Sequence, residues 1–398
     1  MLKIIRDNIH KSIMIDEQVY VDLINTKEFQ RLRRIKQLGS TEFVFPTATH
    51  TRFNHCVGTF FVVNRFVTSE GLKNEITDDE KISLKIAGLL HDIGHGPFSH
   101  NFEVVSSQPH ESYTIDIIRG NTEINDVLKK HNMDIEAICS IIEGKHKNNV
   151  LNTIISSQID ADRFDYMMRD AFNVGVPYSS FDIDYILSNM SVKENRIVFS
   201  KKVIHAIEDY FVGRYHMYEQ VYRHKTSLGF KYTLMFWVER VRDLVKEGYE
   251  FKNKESLEYI KEIIENKVIP VDKFYLLDDY RMTNIISDMI SEDDKTLSDL
   301  SDRLINRRCH KVSFTLSKAE FEKLKSESNL NNKYYFRVIK YNEVAIYSDL
   351  PKNDPKSVCF IENNKLITLS EASRIINSKI NRNKSIKELY IYVQHLVE

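Results

Sequence analysis

Apolar residues recur with the spacing of amphipathic helices along most of the first three hundred positions of the chain. Val19, Leu23 and Phe29 begin one such series, which continues at helical intervals to Leu38. Residues three and four apart share one face of an α-helix, so this spacing predicts a buried helical face. The same reasoning predicts further helices at 54–70, 78–90, near 112–119, at 134–144, 152–169 and through 203–247. Residues 1–15 are predicted to form a short extended arm.

Three local signals refine these elements. Gly71 is predicted to end the helix at 54–70, because glycine readily takes the left-handed conformation that follows many helices. The acidic run Asp78–Glu80 is typical of a helix start, where the helix dipole favours negative charge. Residues 192–200 alternate between apolar and polar around Glu194 and Asn195, and this pattern predicts a β-hairpin.

The composition changes after Asp302. Residues 310–316 and 334–339 are rich in aromatic and β-branched side chains, which favour strands, and a helix is predicted between them at 317–327. We therefore predict a mostly α protein with a helical core, residues 1–305, and a smaller α+β C-terminal lobe, residues 306–398.

Composition narrows the class of protein. Among 398 residues there are only 12 Gly and 7 Pro, which agrees with a mostly helical chain. The net charge of −1 gives no overall attraction to nucleic acid or anionic lipid, so any phosphate must bind in a local basic pocket. Cys56, Cys139, Cys309 and Cys359 lack zinc-binding or redox spacing and are interpreted as free thiols in a reducing compartment. With neither a signal peptide nor an apolar run of roughly 20 residues, a cytoplasmic location without membrane contact is expected.

The segment from His91 to His100 carries the most chemistry. It places three imidazoles and one carboxylate within ten residues, directly after the apolar run that ends at Leu90. Such groups destabilise a buried position unless something pairs them, and a metal ion is their usual partner. The histidines at 50–55 and the carboxylates at 160–165 extend the pattern to two nitrogen and two oxygen ligands. That set suits a hydrolytic centre for Mn, Fe, Mg or Zn. The alternative is a buried structural network of polar side chains.

These segments resemble the HD-domain phosphohydrolase superfamily. Within it, the chain is similar to the deoxynucleoside triphosphate triphosphohydrolases, both the bacterial dGTPase-like enzymes and the animal SAM-and-HD-domain enzyme. The match is carried, in the family's order, by residues 29–39, 44–46, 50–58, 88–100, 160–170 and 222–225. It begins at Lys3, so no SAM-type module is expected before the catalytic region. The resemblance implies a helical HD-domain core and hydrolysis of a dNTP to the deoxynucleoside and inorganic triphosphate.

The resemblance also assigns the metal ligands and the residues that move protons. The expected metal ligands are His55, His91, Asp92 and Asp162. His95, His100 and His110 are the candidates for proton transfer, because imidazole titrates near neutral pH. Glu103, three residues after His100, is expected to orient that ring if the segment is helical. The alternatives are a core histidine for His55 and a structural or surface role for His110, which lies in a loop-like segment.

Substrate contacts are expected on two helical stripes. In the first, the family pattern gives phosphate to Arg163, the sugar face to Tyr166 and the ribose 3′-hydroxyl to Asp170. Its alternative is a salt-bridged amphipathic helix that includes Arg169. In the second, Arg214 resembles a distal phosphate clamp, and Tyr222 a residue that excludes a 2′-hydroxyl. Further contacts are expected from Gln37 and Arg52, which lie outside the two stripes, and from Tyr218 on the second stripe. The alternative for Tyr218 is a core aromatic residue.

Partners follow from the same resemblance. It implies a dNTP substrate, a homo-oligomer (dimer or tetramer) and a nucleotide effector at the subunit interface. Lys3, Gln30 and Arg33 match effector-binding positions, but Asn25 stands where the animal enzyme has a carboxylate that reads guanine. An amide is a poorer acceptor for two guanine donors, so activity is expected not to require GTP, or to answer to another nucleotide.

Two alternatives remain open at this point. One is an HD-type nucleotidase or phosphodiesterase that acts on another nucleotide or on a single-stranded nucleic-acid end, although the three separated arginines Arg52, Arg163 and Arg214 favour a triphosphate over a monophosphate. The other is a nucleotide-sensing or nucleic-acid-binding protein. A complete set of four metal ligands argues against the sensor.

Overall fold

Helices dominate the chain, as predicted, and strands form three small sheets. The computed structural model describes residues 3–330, 332–342, 345–376 and 386–393. Within them the helices are α1 (Gln18–Asn25), α2 (Lys27–Arg31), α3 (Arg52–Thr68), α4 (Asp78–Leu90), α5 (His110–Arg119), α6 (Glu123–Lys130), α7 (Ile135–Ile142), α8 (Asn149–Ile155), α9 (Ala161–Val174), α10 (Ile183–Ser188), α11 (Ile204–Met217), α12 (Lys225–Lys246), α13 (Lys254–Glu258), α14 (Lys261–Ile264), α15 (Val271–Phe274), α16 (Asp279–Asp288), α17 (Lys295–Ile305), α18 (Lys318–Glu327), α19 (Asn332–Tyr335) and α20 (Leu369–Ala372). The strands are β1 (Lys3–Asp7), β2 (Lys11–Ile15), β3 (Met190–Lys193), β4 (Arg196–Ser200), β5 (Lys311–Ser313), β6 (Phe336–Asn342), β7 (Cys359–Glu362), β8 (Lys365–Thr368) and β9 (Ile386–Tyr392).

The predicted extended arm is a β-hairpin. Strands β1 and β2 pair antiparallel, from Lys3 opposite Ile15 to Asp7 opposite Lys11. Ile13 and Ile15 point into the core, whereas Ile4 and Met14 are exposed on the other face. This alternation is what one buried face of a two-stranded sheet requires.

Helix α3 is the centre of the helical core. It packs between α4 and α9, and most of its residues are buried. Capping boxes fix the start of both α3 and α4: Thr51 and Asn54 form the first, Thr77 and Glu80 the second. These boxes satisfy backbone N–H groups that have no partner inside the helix.

Several predicted helix boundaries were wrong. The series from Val19 to Leu38 is divided at Thr26, whose side chain caps α2, and it ends in a 3₁₀ turn at Leu32–Arg34. The helix predicted at 152–169 is two helices, because Asp160 caps the start of α9. In each case a side chain that accepts backbone N–H groups overrides the apolar spacing.

Gly71 does not end α3. The helix stops at Thr68, and Gly71 has no left-handed backbone. A Cβ atom at this position would lie 1.9 Å from the carbonyl oxygen of Met190, so glycine is needed for close packing against the second hairpin.

That second hairpin, β3–β4, is confirmed. Glu194 and Asn195 form its turn with φ of 53° and 54°, as a tight two-residue turn demands. Strand β4 then pairs parallel with β7, so the sheet order is β3-β4-β7-β8. The C-terminal segment therefore completes a sheet that the helical region begins, and the division between 305 and 306 stays a prediction.

The remaining C-terminal strands form a sheet of order β5-β9-β6. The strand predicted at 310–316 covers only Lys311–Ser313. The one predicted at 334–339 starts at Phe336 after the short helix α19, and the helix predicted at 317–327 is α18. No helix in the described part of the chain is both long enough and apolar enough to cross a membrane.

His310 joins this sheet to the helical core. Its Nε2–H donates to the carbonyl oxygen of Tyr334 (3.0 Å), and Nδ1 lies 2.8 Å from Oγ1 of Thr233 on α12. The ring is 2% exposed, and burial lowers its pKa to about 3. A buried neutral imidazole must be protonated when the protein unfolds in acid.

Acid should therefore destabilise the fold through His310. The unfolded imidazole binds a proton below pH about 6.5 and the folded one only near pH 3, so stability is lost as the pH falls between these values. From pH 7 to pH 5 the loss is about 2 kcal/mol. The variant His310→Gln keeps the donor to Tyr334 and should show a smaller loss of unfolding free energy over this range, measured by urea denaturation. Equal losses in both proteins would contradict this role.

Candidate active site

Three helices bring together the four expected metal ligands. His55 lies in the second turn of α3, His91 and Asp92 follow the last residue of α4, and Asp162 lies in the first turn of α9. His91 is the C-cap of α4 and keeps helical backbone angles, and the turns that follow Leu90 allow the adjacent Asp92 to face the same point. The side chains of His55, His91 and Asp92 are almost fully buried, while that of Asp162 is 27% exposed and marks the open side.

The donor atoms of these side chains have the spacing of ligands around one ion. Nε2 of His55 lies 3.3 Å from Nε2 of His91 and 3.0 Å from Oδ1 of Asp162. The distances to the Asp92 oxygens are 3.5 Å from His55 and 3.6 Å from His91. A divalent ion binds such atoms at about 2.0–2.2 Å, so neighbouring ligands in a tetrahedral or octahedral centre lie about 3–3.5 Å apart.

Hydrogen bonds on the far side of each imidazole fix its orientation. Nδ1–H of His91 donates to the carbonyl oxygen of Gly88 (2.9 Å), and Nδ1–H of His55 donates to Oδ2 of Asp165 (2.8 Å). Both Nε2 atoms are thereby directed at the same space, where a proton or a metal ion must separate them from each other and pair them with the nearby carboxylates. This arrangement fits a bound metal ion.

The electrostatics favour a cation as well. Burial disfavours the charged form of His55, but hydrogen bonds with Asp162 and Asp165 outweigh it and raise its pKa to about 10. For Asp92, burial is outweighed by Arg52, His91 and His95, which hold its pKa well below the usual range. Negative charge thus gathers around the two imidazoles, and a divalent ion can take the place of the protons that this charge attracts.

Glu103 organises the proposed proton-transfer histidines beside this centre. Nδ1–H of His100 and Nδ1–H of His110 both donate to its Oε1, at 3.0 and 2.7 Å. Burial of Glu103 is outweighed by these two hydrogen bonds, which lower its pKa. His100 and Glu103 lie in a 3₁₀ helix, Ser99–Val104, so the expected proximity holds. His110 is not in a loop as expected: it is the first residue of α5, after Pro109.

His95 links the two clusters. Its ring stacks on that of His110, with centroids 3.7 Å apart, and its Nε2 lies 3.4 Å from Oδ1 of Asp92. Burial, together with Arg52 and His110, holds the pKa of His95 well below its usual value, so the ring is neutral. A neutral imidazole here can accept a hydrogen bond, and it carries no positive charge that would compete with a metal ion for the carboxylates.

On the opposite side, aromatic rings connect the metal centre to Arg214. Tyr166 lies 6.4 Å from the His55 ring and 6.1 Å from Tyr222, and Tyr222 lies 5.2 Å from Tyr218. The guanidinium of Arg214 lies 5.4 Å from the centroid of the Tyr218 ring. The side chains on α9 and those after α11 therefore line one continuous surface.

The two arginines of this surface differ in their partners. Arg163 forms an ion pair with Asp160, which also caps its helix. Arg214 forms no ion pair with any carboxylate of the described residues, and its Nε is buried without a hydrogen-bond partner. A buried guanidinium without an acidic partner is suited to bind an anion.

Asp170 is held at the far end of the α9 stripe. Its Oδ1 accepts from Nε2 of His50 (2.7 Å), and its Oδ2 accepts from the hydroxyl of Tyr222 (2.9 Å). Gln37 is joined to the same region, since its backbone N–H donates to the carbonyl oxygen of His50. Its buried side-chain Oε1 has no hydrogen-bond partner.

Two expected features of the site differ in the structure. The second stripe is not continuous α-helix, because Tyr218–Tyr222 form a π-helical turn and the helix ends there, before α12 begins at Lys225. Arg52 is almost fully buried, where it forms an ion pair with Asp92 and donates to Oγ of Ser99 (3.0 Å). It therefore orients a proposed metal ligand in this state of the protein.

Sequence reasoning missed His10, assigned no individual role to His50 or Asp165, and placed Arg169 only in the alternative of a salt-bridged helix. The spacing of Asp165 and Arg169, four residues apart on α9, is a usable signal for an ion pair. Gly58, a glycine within a predicted helix, is a second signal, since it indicates close packing. A Cβ atom at this position would lie 1.9 Å from Oδ1 of Asp165. Nothing local indicates His10 or His50, whose partners are distant in sequence.

Among the residues assigned to nucleotide activation, only one pair is in contact. Nε–H of Arg33 donates to Oε1 of Gln30 (2.9 Å), and the Arg33 guanidinium lies 3.5 Å from the ring centroid of Phe53. Lys3 is exposed on β1, and Asn25 is the exposed last residue of α1.

Comparisons with known proteins agree with this geometry. Residues 52–170 match the family model of the HD domain, and residues 181–234 match that of the HD associated region. The Bacillus subtilis protein YwfO is 36% identical over 98% of this chain and 92% of its own length. Human deoxynucleoside triphosphate triphosphohydrolase SAMHD1 is 31% identical, but the match covers 57% of this chain and only 42% of that enzyme. The crystal structure of a phosphohydrolase from Bacteroides thetaiotaomicron is similar over 98% of this chain and 99% of its own, with a TM-score of 0.85 at 27% identity.

Removing a proposed ligand should empty the centre. We expect Asp92→Ala and Asp162→Ala to reduce metal affinity by more than the roughly 10- to 100-fold loss that follows removal of a partner that only orients a ligand. Metal content is measured by mass spectrometry and folding by circular dichroism. Asp272→Ala, an exposed carboxylate on α15, is the matched control. Wild-type metal content in both site variants would refute the ligand assignment.

Proposed function

Because the chain belongs to the HD-domain family, we propose that it is a metal-dependent phosphohydrolase whose substrate is a deoxynucleoside triphosphate and whose products are the deoxynucleoside and inorganic triphosphate. One observation carries the proposal. A centre able to hold a metal ion lies between a histidine–glutamate cluster on one side and an arginine without an acidic partner on the other. Activation of water, proton transfer and neutralisation of phosphate charge are the three tasks that such groups perform in the hydrolysis of a phosphate ester.

We propose that His55, His91, Asp92 and Asp162 hold the ion. When bound, a divalent cation supplies activation of a water molecule and polarisation of a phosphoryl oxygen. Two imidazoles and two carboxylates are compatible with Mn, Fe, Mg or Zn, because this mixed donor set excludes none of them.

Charge neutralisation falls to the arginines. The triphosphate carries several negative charges into a site already rich in carboxylates, so cationic side chains must offset the repulsion. Arg214 is the stronger candidate for the distal phosphates, since its fork is not occupied by a protein carboxylate. Arg163 follows Asp162 in sequence and is proposed to bind the proximal phosphates, provided that the Arg163 guanidinium is partly released from Asp160. Arg52 supports the site through Asp92.

The histidine–glutamate cluster serves the proton step. Cleavage between the α-phosphorus and O5′ leaves an alkoxide oxygen that must gain a proton, while the attacking water must lose one. Glu103 stays ionised because its pKa is lowered, and it orients His100 and His110 together. His100 is 63% exposed and open to a substrate, whereas buried His95 is neutral and suits a hydrogen-bond acceptor.

The sugar would lie against the tyrosines. Asp170 has both oxygens placed by His50 and Tyr222, so it offers a fixed acceptor to a 3′-hydroxyl. The rings of Tyr166 and Tyr222 lie 6.1 Å apart, and the deoxyribose is proposed to pack against them. Gln37 and Tyr218 are proposed to contact the sugar edge and the base. A homo-oligomer in the cytoplasm, with a nucleotide effector between subunits, is part of the same proposal.

The direct test is product identity. Pure protein is incubated with each dNTP and NTP in turn, with Mn²⁺ or Mg²⁺, with and without GTP, and the products are separated by chromatography. We expect deoxynucleoside and triphosphate without a requirement for GTP, because Asn25 lacks the carboxylate that reads guanine. Release of pyrophosphate or of orthophosphate alone would contradict the proposed cleavage position. Turnover only of monophosphates or of single-stranded nucleic-acid ends would favour the alternative HD-type activities.

One variant can test the proposed binding of phosphate by Arg214 independently of metal binding. Arg214→Ala should raise the KM for a dNTP by about 10- to 100-fold, as expected for loss of a charged hydrogen bond to phosphate. Metal content should stay at the wild-type level. Lys246→Ala, an exposed cation at the end of α12, is the control. Unchanged kinetics of the Arg214 variant would exclude the clamp role.

A further inference from the structure

The N-terminal hairpin reaches the metal centre through a series of hydrogen bonds, and we propose that His10 is a positioning residue for the metal ligand His55, acting through Asp165. The inference rests on the proposed metal-binding role of His55. His10 and Asp165 would contact neither the ion nor the substrate. The inference therefore gives the hairpin a role in the affinity for the metal ion.

Asp165 is the link between the two histidines. Its Oδ1 accepts from Nε2–H of His10 (2.7 Å) and its Oδ2 from Nδ1–H of His55 (2.8 Å). Arg169 donates to both oxygens, each at 2.9 Å. Each carboxylate oxygen thus has two donors, and the plane of the carboxylate is determined from both sides. Since His55 receives its orientation from this carboxylate, whatever fixes Asp165 also fixes the direction of Nε2 of His55.

The turn of the hairpin is built to present His10. Oδ1 of Asp7 accepts the backbone N–H groups of Ile9 (2.9 Å) and His10 (2.8 Å), which closes the turn. Oδ2 of Asp7 accepts from Arg169 (2.7 Å), which anchors the same turn to α9. The His10 side chain is only 5% exposed and packs on Phe61 of α3, with ring centroids 4.6 Å apart. Its ring therefore lies between α3 and α9 and cannot change rotamer without undocking the turn.

Loss of His10 should act on the metal more than on the fold. Without it, Oδ1 of Asp165 keeps one donor and gains empty space, so the carboxylate can tilt and His55 follows. The coupling is reciprocal, because two events that stabilise the same arrangement must favour each other. Metal binding should accordingly hold the hairpin more tightly in place.

The first measurement is the Kd for Mn²⁺ of the full chain, obtained by competition with a chelator. His10→Ala should raise it by about tenfold, the lower end of the range for partners of metal ligands, because His10 acts through one further residue. His10→Gln retains an N–H donor and should stay closer to the wild type. Ile13→Val removes one methyl group from a buried side chain of the same hairpin and should lower the Tm without changing the Kd.

The second measurement is hydrogen exchange in the hairpin. Mn²⁺ should slow exchange of the β1–β2 amides in the wild type and not in His10→Ala. Equal Kd values for the wild type and His10→Ala would overturn the inference. So would a change in Kd that Ile13→Val reproduces at an equal loss of Tm, or hydrogen exchange in the wild-type hairpin that is the same with and without Mn²⁺. A wild type that binds Mn²⁺ but does not hydrolyse dNTPs would overturn the proposed substrate and leave the inference intact.

Discussion

The fold of this protein depends on one buried carboxylate, Asp165. It accepts four hydrogen bonds, two from Arg169 and one each from His10 and His55. A buried charge is unfavourable unless it is fully paired, and here the pairing requires α3, α9 and the hairpin to meet at one point. Gly58 is part of the same constraint, since any larger residue would displace the carboxylate. The interaction thus fixes the relative position of α3, which carries His55, and α9, which carries Asp162, Tyr166 and Asp170.

Charge is distributed unevenly around this point. Carboxylates surround the two imidazoles of the candidate metal centre, and Arg52 compensates one of these carboxylates, Asp92. The histidine–glutamate cluster lies on one side, and the arginine without an acidic partner lies on the other. Each group keeps a distinct protonation state because its neighbours differ: buried His95 is neutral, and Glu103 is ionised. The separation of these states over a few residues is what general acid–base chemistry beside a metal requires.

Apolar spacing predicted the helical class, the hairpin at 192–200 and the α+β character of the C-terminal region, because these depend on local periodicity and turn chemistry. It failed at boundaries. Thr26 and Asp160 interrupt predicted helices by capping new ones, and the segment after α11 changes to a π turn. A cap is a single polar side chain within an otherwise helical pattern, so periodicity alone cannot reveal it. Of the two strands that composition predicted in the C-terminal region, the first is shorter and the second is shifted to Phe336–Asn342, since pairing partners decide where a strand begins and ends.

The sequence by itself determined which donors are available and which of them are neighbours. His91 and Asp92 are adjacent at a helix end, and Asp162, Tyr166 and Asp170 repeat every four residues on one helix, so their proximity follows from backbone geometry. Only the tertiary structure decided how those donors are oriented and paired. His10 meets Asp165 across 155 positions, and His50 meets Asp170 across 120. The packing of distant helices also decides whether Arg214 has an acidic partner and whether Arg52 forms an ion pair with Asp92. Contacts of this kind arise from the packing of the whole core, and no local pattern encodes them.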